Sequence, residues 1–72
     1  MPKLPRDLSG AAAAKALRRL GFEFSRQTGS HIILRKESRT VVVPAHKAIK
    51  PGTLKGLLEQ AGVSLDELLR NL

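Results

Sequence analysis

The chain has 72 residues, enough for one small domain and near the lower limit of what folds without staples. It has no cysteine, which excludes a disulfide framework and thiolate metal sites and leaves stability to the hydrophobic core. Thirteen Lys and Arg against six Asp and Glu give a formal charge of +7, and the excess is uneven: residues 1–50 carry eleven basic and three acidic side chains, residues 51–72 two and three. Such a cationic surface attracts polyanions by counterion release. With two Phe and no Tyr or Trp, a base-stacking platform of the RRM or OB type is not expected, so a nucleic acid would be held by its phosphates and shape.

Residues 1–8, with Pro2 and Pro5, read as a short lead-in. The longest purely apolar run, Ala11 to Ala14, is too short for a membrane span, and no signal-peptide pattern opens the chain; a soluble cytoplasmic protein is expected. Ser9 is a candidate N-cap for a helix from about Gly10 to Leu20. Its apolar face is Ala13, Ala16, Leu17 and Leu20, with Lys15, Arg18 and Arg19 projecting away, and Gly21 ends it. The period then changes to two. Phe22 and Phe24 alternate with Glu23 and Ser25, as in a half-buried strand with two core aromatics. Thr28-Gly29 supplies a turn, a second strand follows over about Ser30–Lys36, and Lys36-Glu37-Ser38-Arg39 forms a polar connection. Thr40 to Val43 is a third, β-branched strand stopped by Pro44.

Residues 45–52 read as a loop holding His46, Lys47, Lys50, Pro51 and Gly52. A second helix over about Thr53–Ala61 repeats the apolar template at Leu54, Leu57, Leu58 and Ala61, and Gly62 ends it. Ser64 and Glu67 have capping-box spacing for a last short helix that aligns Leu65, Leu68, Leu69 and Leu72. The expected fold is α+β, in the order α-β-β-β-α with an extra C-terminal helix. The short connections make the three-stranded sheet antiparallel, with the helices on one face. This is the architecture of double-stranded-RNA-binding domains.

Most enzyme constellations are missing. Of the six carboxylates only Asp66 and Glu67 are adjacent, in a first helical turn where negative charge is favourable anyway. A two-metal nuclease needs several converging carboxylates, and two lone histidines make a poor zinc site. No phosphate-binding loop or dinucleotide fingerprint is present. No metal or cofactor is therefore expected. The remaining chemistry lies in two histidines among cations. His31 begins the second strand and by alternation shares a face with Ile33 and Arg35, opposite Ile32 and Leu34. If Ile32 and Leu34 pack under the helices, His31 points to the open face. His46 sits in the Lys-rich loop, where backbone N–H groups of the following helix can also meet phosphate. A neutral histidine can take the proton from a ribose 2′-OH, whose oxygen attacks the adjacent phosphorus while cations stabilise the growing charge. On the residues alone, His31 is equally a structural or exposed strand histidine, and His46 a solvated loop residue.

Gly29-Ser30-His31, Val43-Pro44-Ala45-His46-Lys47 and Lys50-Pro51-Gly52-Thr53-Leu54, in this order and with Ala61-Gly62 beyond them, resemble the HicA (YcfA-like) family of toxin–antitoxin systems. The resemblance covers about Ser9 to Leu69. It implies a double-stranded-RNA-binding-domain-like fold, mRNA interferase activity and neutralisation by a cognate HicB antitoxin. It places the family's catalytic histidine, that of its Gly-Ser/Thr-His motif, at His31 and assigns no catalytic role to His46.

The leading expectation is a metal-independent endoribonuclease that cleaves mRNA with His31 as acid/base and is held by an antitoxin whose footprint overlaps His31. Arg35, His46, Lys47 and Lys50 are its candidate RNA contacts. The alternative is a non-catalytic double-stranded-RNA-binding module, and a third reading is an interaction protein whose basic surface docks an acidic partner.

Overall fold

The computed structural model describes residues 7–72. Most of the expected lead-in lies outside the described residues. Of its last two positions, Leu8 is a core residue, 7% exposed, and its carbonyl accepts the Ile49 N–H.

The elements are α1 (Gly10–Arg19), β1 (Glu23–Thr28), β2 (His31–Lys36), β3 (Arg39–Pro44), α2 (Pro51–Ala61) and α3 (Leu65–Arg70). The sheet is an antiparallel meander with β2 in the centre. With helices packed on one of its faces, this is the α+β architecture of double-stranded-RNA-binding domains.

The Ser9 side chain caps α1 by accepting the Ala12 N–H. Past Leu20 the Gly21 N–H returns to the Arg18 carbonyl and the Phe22 N–H to Leu17, the paired bonds that close a helix around a left-handed residue. The same pairing, through Gly62 and Val63, closes α2. The Ser64–Glu67 capping box is present at the start of α3. Pro51 and Gly52, expected in the loop, instead form the first turn of α2, with Lys50 as N-cap. A proline is suited to the first helical position, where its missing N–H has no partner to lose.

The core joins Leu17 of α1, Leu34 of β2, Val41 and Val43 of β3, Ile49, Leu54 of α2 and Leu68 of α3, all fully buried. Ala13 and Ala16 are fully buried too. Burial alternates along β3, where Val42 between the two core valines is 39% exposed. On α3 only Leu68 is buried; Leu72 lies beyond the helix and is half exposed.

The expectation of two core aromatics on one strand is corrected. Phe22 is buried and precedes β1, but Phe24 is 50% exposed, and no residue of β1 is buried. Phe24 lies opposite Leu34 and so faces the helix side. However, α1 packs over β2 and β3 and α2 over β3, so the helical layer stops short of β1.

Candidate active site at one end of the sheet

Four of the five residues expected to act on RNA lie at one end of the sheet. His31 opens the central strand directly after the Gly29-Ser30 turn, between Thr28 on β1 and Pro44 on β3. Paired residues of an antiparallel ladder point to the same face. Ile32 packs against the core and Leu34 is fully buried, so His31 stands on the open face, where it is exposed. Both neighbouring strands hold its backbone.

The chain leaving β3 is tied back to this spot. The Ala45 N–H donates to the Ser30 carbonyl (2.6 Å), and the His46 carbonyl accepts the Gly10 N–H (2.9 Å) at the start of α1. Gly10 allows this approach because a Cβ there would lie 1.9 Å from the Pro44 carbonyl oxygen. Ile49, 1% exposed, anchors the rest of the segment in the core. His46, Lys47 and Lys50 are thus exposed side chains on a short pinned loop beside His31. Sequence reasoning missed Gly10 and Ile49. A glycine directly after an N-cap serine and a lone β-branched residue within a lysine-rich loop were the available signals.

Arg35 is not brought to this cluster. It shares the open face with His31 but lies four residues further along β2, about 13 Å at the usual rise of a strand, opposite Glu23 and Thr40.

The start of α2 adds a feature of the backbone. Serine side chains cap α1 and α3, but no side chain caps α2. Its first-turn N–H groups and the positive end of its dipole therefore face outward beside Lys47 and Lys50, and the space around Gly52 is open. This arrangement can receive an oxyanion. Among the described residues, Arg70–Asp66 on α3 is the one ion pair, so no carboxylate neutralises the cations of this end. The same residues contain no group of three His, Cys, Asp or Glu side chains placed to hold a metal ion, and no helix long and apolar enough to cross a membrane.

Comparison with known proteins gives a family match over most of the chain. A model described as the HicA toxin of bacterial toxin–antitoxin systems matches residues 10–63. That span contains α1, the whole sheet, the pinned loop and α2. No curated protein matches the chain.

Proposed function

Because this chain belongs to the HicA toxin family of bacterial toxin–antitoxin systems, we propose that it is an mRNA interferase, a metal-independent endoribonuclease whose catalytic acid/base is His31. The observation that carries this reading is the exposed imidazole on a rigid central strand, beside a loop of uncommitted cations and an uncapped helix start.

In the proposed reaction RNA lies over the open end of the sheet. Lys47, Lys50 and the first turn of α2 hold a phosphate, and His46 lies against the backbone of the same strand of RNA. His31 in its neutral form takes the 2′-OH proton as that oxygen attacks the adjacent phosphorus. The P–O5′ bond breaks, the 5′-oxygen leaves with a proton from water as a hydroxyl, and the phosphate remains bridged to the 2′- and 3′-oxygens. The cations stabilise the charge that grows on the phosphoryl oxygens. Arg35, further along the same face, meets phosphate beyond the reacting one. With so few aromatic side chains, affinity comes from the backbone of the RNA and falls steeply with salt.

The toxin acts in the cytoplasm, where mRNA is available, and a cognate HicB antitoxin restrains it. The unneutralised cations suit an acidic antitoxin surface that covers His31 and excludes RNA by occupying the same charges.

The deciding experiment expresses the wild type and His31→Ala without antitoxin and follows growth and mRNA together. Purified protein is assayed in parallel with and without a chelator. Growth arrest and mRNA loss in the wild type alone, with cleavage that survives the chelator, is the expected result. Cleavage by both proteins removes His31 from the catalytic role, and cleavage by neither favours a non-catalytic RNA-binding module.

A further inference from the structure

A second surface lies away from the His31 end. β1 is an edge strand paired only with β2, so its outer N–H and C=O groups have no strand partner. Its helix-side face is bare because α1 sits over the other two strands. Between α1 and β1 runs a cleft of about 400 Å³ lined by Ala11, Ala14, Lys15, Arg18, Phe24 and Ile32 among others. It combines an apolar floor, a half-exposed phenylalanine and a rim of two cations that no carboxylate of the described residues pairs.

We propose that this groove docks an extended acidic segment of a protein partner. The segment adds a strand to the open edge of β1, places an apolar side chain against Phe24 and sets carboxylates on Lys15 and Arg18. Strand addition supplies main-chain hydrogen bonds. Because every second side chain points to the same face, the apolar and acidic residues that meet Phe24, Lys15 and Arg18 all fall at alternate positions of the segment, on its helix side.

Three features favour this occupant. The unpaired backbone edge matches another polypeptide backbone rather than a nucleic acid. Ala11, Ala14 and Ile32 offer aliphatic contact to an apolar side chain, which a phosphate backbone does not supply. A second copy of the chain is disfavoured, since each carries +7 and would bring like charge to the two rim cations. The groove faces the helix side while His31 faces the open side. A partner held here therefore need not displace RNA, and the proposal does not rest on His31 being catalytic.

The test selects a displayed library of short linear peptides on the full-length protein and titrates a selected peptide into isotopically labelled protein. Selected sequences are expected to carry apolar and acidic residues together at every second position and to shift the amides of Ala14, Lys15, Arg18 and Phe24. Phe24→Ser and Arg18→Glu, both at exposed positions, should each weaken binding about tenfold or more, equivalent to about 1.4 kcal/mol, with amide spectra that stay dispersed. Arg18→Glu alone keeps the test if Phe24→Ser unfolds. The proposal is overturned if no peptide binds, if the shifts gather around His31 and Lys47, or if both folded variants bind as the wild type does. It is also overturned if a single-stranded RNA oligomer shifts the groove amides and the peptide does not.

Discussion

The two ends of the sheet use positive charge in opposite ways. At the end away from His31, three basic side chains finish on helix carbonyls. Lys36 donates to the Leu20 carbonyl at the end of α1 (3.0 Å) and lies over the Phe22 ring, Arg39 donates to Gln60 near the end of α2 (3.4 Å), and Arg19 donates to Asn71 behind α3 (3.0 Å). Each satisfies a carbonyl that the helix leaves unpaired and complements the negative end of a helix dipole. At the His31 end, the side chains of His31, His46, Lys47 and Lys50 have no such partner among the described residues, and the helix end beside them is the positive one. Net charge alone would treat both groups as an RNA footprint. Their partners divide them into cations that hold the fold together and cations that remain available to a ligand.

The sharpest way to break this division is His31→Ala. An exposed side chain with no described hydrogen bond should leave the melting temperature nearly unchanged, while cleavage of RNA falls about 10²- to 10⁴-fold, the usual contribution of a positioned acid/base. A large loss of stability with cleavage retained would make His31 structural and reverse the assignment of the two ends. Gly10→Ala probes the scaffold beneath the same end. The added Cβ meets the Pro44 carbonyl at 1.9 Å, so backbone must move at the junction that joins α1 to the loop. A loss of about 2–3 kcal/mol is expected, a drop of roughly 10–20 °C in Tm for a domain of this size, and RNA binding should weaken with it as the loop loses its pin.

Much of this could be read from the residues. The helical stripes, their glycine ends, the Ser64–Glu67 box and the face on which His31 stands all follow from periodicity and local chemistry, which act within a few residues. The misses depend on contacts distant in sequence. Phe24 has the pattern of a core residue, but whether α1 lies over β1 depends on its packing against α3, β2 and β3. Pro51-Gly52 carries loop residues that the proline's fixed φ places in a helix instead. Lys36 and Arg39 cannot be told from Lys47 and Lys50 without the carbonyls that receive them. Arg35 shares the correct face with His31, but its distance from the cluster follows from the register of the sheet.

Paired substitutions of one cation from each end sharpen the comparison at smaller amplitude. Lys47→Ala should weaken binding to all RNA sequences alike and make the dependence of log K on log salt shallower by about 0.7, one contact to a single strand. Its effect on stability should stay within about 0.5 kcal/mol, as for an ordinary surface position. Arg39→Met keeps the aliphatic stem and removes the guanidinium from the α2 carbonyl. It should cost about 0.5–1 kcal/mol in urea unfolding and leave the salt slope unchanged. Equal salt slopes in the two variants would show that the cations act as one undivided field.

The smallest expected effect lies in the two hairpin turns. Gly29, beside His31, takes φ 58°, and Glu37, in the turn at the other end, takes φ 56°. Glycine adopts this left-handed conformation without penalty, whereas another L-residue pays about 1–2 kcal/mol. Backbone strain often marks a functional segment, yet here it lies at the end whose cations are spent on helix carbonyls. Glu37→Asn tests whether that strain serves a purpose, because asparagine tolerates the left-handed region and keeps a polar side chain in the turn. If the far end is scaffold alone, the variant should gain about 0.5–1 kcal/mol in urea unfolding and cleave RNA at the wild-type rate. Asparagine is a better probe than glycine, whose extra freedom in the unfolded chain would cancel part of the gain. A stabilised variant that cleaves more slowly would show that the Glu37 turn contributes to activity, and would remove the clean separation between the two ends.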